Sequence, residues 1–145
     1  MEALSFFATS WFDPSLLLLT ALGTFAGIYV GAIPGLSVTM AASILISFTF
    51  KWDINEALAL IAGVYVGGVY GGGRTAILLN IPGAPSAIAT ALDGYPLAKK
   101  GLAGEAIGLT TVMSVLGGLI GILALAVAAP LIADFAIKFT SREYM

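Results

Sequence analysis

The 145-residue sequence has no cysteine, no histidine and few charged residues, which make up only 10% of the chain. Without thiolate or imidazole groups, Cys- or His-based metal centres, cysteine nucleophiles and histidine acid–base catalysis are excluded. A soluble domain carries about 25% charged residues, so the scarcity of charge also excludes that class. No Asp, Glu, Lys or Arg occurs from Pro14 to Phe50, or from Ala106 to Ala133. Each of these runs is longer than the roughly 20 residues that cross a bilayer as a helix. What is present instead is oily: 59% of residues are hydrophobic and the mean hydropathy is +1.04. The composition specifies an all-α, multi-pass membrane protein surrounded by a lipid bilayer. The opening stretch M-E-A-L-S-F-F-A-T-S lacks Lys and Arg, so no basic n-region of a cleaved signal peptide is expected. Neither a P-loop nor a dinucleotide fingerprint is present, and no nucleic-acid partner is expected.

Along the chain, Asp13-Pro14-Ser15 starts a first span over Ser15–Ile33, broken at Pro34-Gly35. The next apolar stretch, Ser37–Phe50, is about 21 Å long as a helix, short of a hydrocarbon core. Lys51-Trp52-Asp53 reads as an interfacial turn. Asp53 followed by Glu56 resembles an N-cap with its capping-box partner. A third helix is predicted from about Asn55 to Tyr70, stopped by Gly71-Gly72-Gly73. Thr75–Ile81 and Ser86–Leu92 read as short pieces, the first ended by I-P-G-A-P and the second by the turn signal Asp93-Gly94-Tyr95-Pro96. After a solvated Lys99-Lys100-Gly101 loop, Glu105 opens a long helix through Ala106–Ala129, before Pro130; Phe139–Met145 is a polar tail. The expected architecture is one transmembrane domain, 1–145, with two or three full spans and broken or re-entrant segments. Lysines and arginines on both sides of the last span cancel the orientation signal.

Glycines recur every four residues at Gly23, Gly27, Gly31 and Gly35, and again at Gly63, Gly67 and Gly71. Such ridges let a neighbouring backbone approach closely. The stretch G-I-Y-V-G at 27–31 returns as G-V-Y-V-G at 63–67 with a constant offset that reaches Thr39 and Thr75. This suggests an internal repeat, 27–39 and 63–75, and repeats with interrupted helices point to secondary transporters.

The unusual stretch is Y-G-G-G-R-T-A-I-L-L-N-I-P-G at 70–83. In hydrocarbon every backbone polar group must be satisfied, so an unwound segment survives only inside protein or beside a water-filled cavity. Breaks at Pro34-Gly35, Gly71-Gly72-Gly73 and Pro82-Gly83 therefore imply a protein-lined site, where half-helix N-termini would attract an anion. Arg74 would offer a planar fork for a carboxylate, with Thr75, Asn80, Ser86 and Thr90 as neutral hydrogen-bonding groups. Arg74 also fits a snorkelling role at a headgroup, and the glycine ridges fit packing as well as ligand contact. Asn80, an amide inside I-L-L-N-I-P-G, calls for a buried partner. Asp93 reads as a turn residue, or as the holder of a coupling ion. With no second carboxylate near the broken segments, paired acid–base chemistry has no candidate, and no enzyme is expected.

Four segments carry a resemblance: G-x-x-x-G-x-x-P-G-L at 27–36, Y-x-G-x-x-Y-G-G at 65–72, I-L-L-N-I-P-G-A-P at 77–85 and D-G-Y-P-L-A-K-K-G at 93–101. In that order they resemble the N-terminal part of the large membrane subunit of tripartite tricarboxylate transporters, the TctA family, from about Leu16 to the end. The resemblance implies a bacterial inner-membrane carrier for citrate or related carboxylates, driven by an ion gradient of Na+ or H+ and needing no organic cofactor or metal centre. Its implied partners are a periplasmic solute-binding protein and a small membrane subunit. It maps the family's most recognisable segments onto Pro34, Gly35, Tyr70, Gly71, Gly72, Asn80, Pro82 and Gly83. Two departures stand out: Gly73 replaces a serine common in the family, and family members are several times longer, so a fragment or split subunit is expected. The competing expectation is a non-transporting membrane scaffold assembled through the glycine ridges.

Overall fold

The computed structural model describes residues 12–136. Within them five helices follow one another: α1 (Pro14–Ala32), α2 (Val38–Thr49), α3 (Ile54–Leu79), α4 (Ile88–Lys99) and α5 (Ala103–Ala136), with a 3-10 turn at Pro85–Ala87 leading into α4. Among the described residues there is no strand. Among the described residues three helices are long and apolar enough to cross a membrane: α1, α3 and the Ala103–Ala129 part of α5. Helix α2 is a shorter apolar helix. The all-α membrane architecture expected from composition is what the chain adopts. The polar tail at Phe139–Met145 lies outside the described residues.

Helix α1 begins where Asp13 caps it, its carboxylate accepting the Ser15 N–H at 2.9 Å and the Ser15 hydroxyl at 2.8 Å. These bonds, the hydroxyl's first, hold the Asp13 carboxyl below its ordinary range. Asp53 caps α3 in the same way, accepting the Asn55 N–H at 2.9 Å, with Glu56 in the first turn. Both helices start at the same end of the molecule and run parallel. Gly23, Gly27 and Gly31 meet the backbone of Leu60, Val64 and Gly68, while Gly63, Gly67 and Gly71 meet that of Thr20, Thr24 and Ile28. At each of these six glycines an added Cβ would fall inside 3.0 Å of a carbonyl oxygen on the other helix. The hydrogen that replaces Cβ therefore points at a carbonyl, the arrangement of a Cα–H···O contact. The threonines on α1 stay satisfied in this apolar setting by back-bonding, Thr20 to the Leu16 carbonyl and Thr24 to the Thr20 carbonyl.

This packing corrects the expected stop at Gly71-Gly72-Gly73, because α3 continues unbroken through all three glycines to Leu79. A helical glycine costs about 1 kcal/mol relative to alanine, and close approach to α1 and to the 83–84 segment offsets it. Thr75–Ile81 is consequently the end of α3 and not a separate piece, so no half-helix N-terminus exists beside Arg74. The helix stops instead at Asn80, which takes the left-handed conformation at φ 58° and donates its N–H to the Ala76 carbonyl. Asparagine tolerates this region better than other residues with a Cβ. Its side chain is exposed, not buried against a partner as its apolar surroundings suggested.

Beyond Asn80 the chain turns back along α3, and the Gly83 N–H donates to the Gly72 carbonyl at 3.4 Å. It then reverses into the 3-10 turn and α4. The turn expected at Asp93-Gly94-Tyr95-Pro96 is helical, lying inside α4 with Pro96 as an internal residue. Ala87, Ala91 and Gly94, spaced as one helical stripe, are buried, and Gly94 sits against Ile77, the largest fully buried side chain. That stripe, together with Ala76, is the core of the α3–α4 packing. Helix α4 ends one residue into the expected loop: the Leu102 N–H reaches the Leu97 carbonyl, the Gly101 N–H reaches that of Ala98, and Gly101 adopts φ +83°. This is a Schellman cap.

Helix α5 continues past Pro130 to Ala136, beyond the end expected at Ala129. The chain divides into two compact units at Gly108/Leu109, and the second unit is this helix from Leu109 onward. Its large apolar side chains, from Leu109 through Leu125, are exposed.

Two stability predictions follow from the glycine contacts and the left-handed cap. Gly71→Ala forces a Cβ against the Ile28 carbonyl and should destabilise the protein by about 1–3 kcal/mol. Gly73→Ala meets nothing within 4 Å and should be neutral, or stabilising by up to about 1 kcal/mol. Denaturation of the two variants in detergent checks this; equal losses would refute the assigned helix faces. At the cap, Asn80→Gly should preserve stability, while Asn80→Ala should cost about 1–2 kcal/mol, measured in the same way.

Candidate functional site

The breaks after α1 and after α3 come together on one side of α3. The chain leaves α1 through Ile33, and Gly35 takes φ +93° to turn it into α2. At that level Gly83 packs against the Gly31 carbonyl and the Cα of Gly72, and Gly72 packs against the Ala84 N–H. Gly68 faces the Val38 side chain at the start of α2. Four glycines thus let α1, α2, α3 and the returning segment meet with almost no side-chain thickness between them.

Beside this junction lies a half-open cavity of about 480 Å³. Gly35, Leu36, Ser37, Val38 and Thr39 form one wall, Gly83, Ala84, Pro85 and Ser86 the other, and Tyr65 and Val69 the floor. Tyr65 and Val69 fall either side of the midpoint of α3, a helix about 39 Å long at 1.5 Å per residue. No charged side chain lines the cavity. Its polarity comes from the hydroxyls of Ser37, Thr39, Ser86 and Tyr65 and from the backbone. Ser37 occupies the N-cap of α2 without capping it; its hydroxyl is 2.5 Å from that of Thr39. The first-turn N–H groups of α2 therefore have no side-chain acceptor at the wall of the cavity. Such a helix end carries a partial positive charge that favours anions.

Of the residues singled out from sequence, Gly35, Gly83 and Ser86 line this cavity, and Pro34 and Pro82 each precede one of the two glycines in the chain. Gly71 and Gly72 lie within α3, behind the floor, as packing positions against α1 and the returning segment. Arg74 is elsewhere: its guanidinium lies 3.5 Å from the centre of the Tyr70 ring and donates to the Tyr70 hydroxyl. No carboxylate pairs with Arg74 among the described residues. Thr75 is buried, and its hydroxyl donates to the Gly72 carbonyl at 3.1 Å, which consumes its proton within the helix. Asn80 is at the end of α3, and Asp93 is exposed on α4; neither lines the cavity. Ser37, Thr39 and Tyr65 line the cavity as well, beyond the residues expected from sequence. Their signal was present: Ser37 directly follows the P-G-L break in the position of a helix cap, as Ser86 follows G-A-P.

Residues 17–145 match the family described as tripartite tricarboxylate transporter TctA. The chain is 41% identical over 123 residues to an uncharacterized 52.8 kDa protein from the TAR-I ttuC' 3' region of Agrobacterium vitis. That match covers 85% of this chain and 24% of the relative, so the chain spans about a quarter of the protein it matches. No solved structure matches it. The family match over nearly the whole chain, with a relative of this identity, places the protein in the tripartite tricarboxylate transporter TctA family.

Proposed function

We propose that these residues form part of the substrate path of a secondary carrier that imports tricarboxylates or related carboxylates across the bacterial inner membrane. An ion gradient, Na+ or H+, drives uptake, and a periplasmic solute-binding protein and a small membrane subunit work with it. The observation that carries this reading is the cavity at the middle of α3, where two chain breaks meet at the uncapped start of α2. Interrupted segments meeting at mid-depth are a feature of secondary transporters. On this reading the segment around Pro82-Gly83 is re-entrant, dipping from the end of α3 to the level of the cavity. The anion is held by the α2 N–H groups and by the hydroxyls of Ser37, Thr39 and Ser86. Pro34, Gly35, Pro82 and Gly83 shape the walls; Arg74 and Asn80, nearer the end of α3, attract the anion on its way in. Asp93 remains a candidate for ion coupling.

The scaffold reading is weakened by the same structure. Gly23, Gly27, Gly31, Gly63 and Gly67 all face the other helix of their own chain, so their ridges are already occupied.

Thermal unfolding of the purified protein in detergent, with citrate, tartrate, glutamate or chloride, tests the proposal. A bound carboxylate at about 100 times its Kd should add roughly 2.7 kcal/mol of stability. Ser37→Ala removes a hydrogen bond to a charged group and should weaken binding about tenfold or more, with a smaller loss for Arg74→Gln. If Arg74→Gln abolishes the shift while Ser37→Ala leaves it intact, the anion binds at Arg74 and not in the cavity. No shift with any carboxylate overturns the assignment of a substrate site to these residues.

A further inference from the structure

At the opposite end of the α1–α3 pair, where both helices begin, lies a second and more open cavity of about 550 Å³. Its polar rim is Lys51, Asp53 and Glu56, its aromatic edge is Trp52, and Leu18 and Leu19 of α1 form its apolar wall. Asp53 spends one carboxylate oxygen on the Asn55 N–H. Among the described residues Lys51 and Glu56 form no hydrogen bond or ion pair, although Glu56 is half-buried. A partly buried carboxylate without a counter-charge is costly, and here an unpaired cation and an unpaired anion line one cleft without meeting. Lys51 stands against two carboxylates, Asp53 and Glu56, so the rim is net negative and a purely anionic ligand is poorly matched to it. A ligand carrying both a phosphate-like anion and an ammonium group would answer both.

The oily side of the cleft identifies what else that ligand carries. Leu18 continues into Leu22, Phe25 and Tyr29, spaced as one helical stripe and 55–62% exposed. Phe25 and Tyr29 stack edge to face, with ring centres 5.0 Å apart. A charged head at the rim thus connects directly to an exposed apolar track along a membrane-spanning helix, with Trp52 at the boundary where tryptophan prefers to sit.

We infer that this cleft binds one phospholipid with a zwitterionic, primary-ammonium headgroup: Lys51 takes the phosphodiester, Glu56 takes the ammonium, and an acyl chain lies along Leu18, Leu22 and Phe25. The inference is independent of the carboxylate site, since the two cavities share no residue.

The test is native mass spectrometry of the purified protein in detergent doped with equal amounts of dioleoyl phosphatidylethanolamine, phosphatidylcholine and phosphatidylglycerol. The ethanolamine lipid should be retained about tenfold over the choline lipid, whose trimethylated nitrogen has no N–H to donate; this is the effect of about one charge-assisted hydrogen bond. Glu56→Gln should bring that ratio to about one, and Lys51→Gln should lower retention of both zwitterionic lipids. Equal retention of the ethanolamine and choline lipids by the unmodified protein would overturn the inference, as would strongest retention of the glycerol lipid. So would an unchanged ratio in Glu56→Gln, or displacement of the lipid by soluble phosphoethanolamine at equal concentration. Should Glu56→Gln fail to fold, the three-lipid comparison on the unmodified protein decides the matter alone.

Discussion

The contact between the glycine ridge of α1 and the carbonyls of α3, repeated in the other direction, is the constraint on which the rest of this structure depends. Lipid is as apolar as leucine, so association of helices in a membrane draws on close packing and polar contacts between backbones. Six glycines place Cα hydrogens against carbonyl oxygens across the pair, an arrangement that only residues without Cβ can make. The price in intrinsic helix propensity is spread over the same six positions. It is the reason a sequence rich in helix breakers here forms its longest continuous contact.

From that pair the cavity is built by proximity. Because α1 ends level with the middle of α3, the chain must reverse there, and Gly35 supplies the positive φ that aims α2 back beside it. Gly72 and Gly83, bare on facing sides, then admit the segment returning from Asn80 to the same level. Two walls separated by more than forty residues of sequence face each other across Tyr65 and Val69 as a result. The absence of charge in that cavity suits membrane depth, where an uncompensated side-chain charge is costly, and leaves recognition to helix ends and hydroxyls.

What could be read in the sequence follows from which forces are local. The start of α1 at Asp13-Pro14 and that of α3 at Asp53 are set by capping within three residues, and both were legible. The course of α3 through Gly71-Gly72-Gly73 was not, because the local cost of about 1 kcal/mol per glycine is offset by partners some forty residues earlier and ten residues later. Asp93-Gly94-Tyr95-Pro96 misled in the same way: its turn propensity yields to the stripe Ala87, Ala91 and Gly94 packing on Ile77 and Ala76. Asn80 drew attention as an amide in an apolar run, yet the neighbouring Ile-Pro-Gly also marked it as a residue suited to ending a helix in the left-handed conformation. For the site, Gly35 and Gly83 were legible as breaks. That Ser37 and Ser86 line one cavity, and that Arg74 does not join them, depends on a three-dimensional reversal that spacing alone does not encode.

The four-residue period of the glycines also has a mechanical meaning. Sliding α1 along α3 by a fraction of a turn would drive a Cα or a side chain into a carbonyl at all six positions at once. The next register that puts glycines opposite carbonyls lies four residues away, about 6 Å along the axis. The pair thus behaves as a rack with coarse teeth, locked against small shear and able to change only in whole steps. Gradual adjustment around the cavity is left to α2, which meets the pair through the Val38 side chain on Gly68 and not through facing backbones.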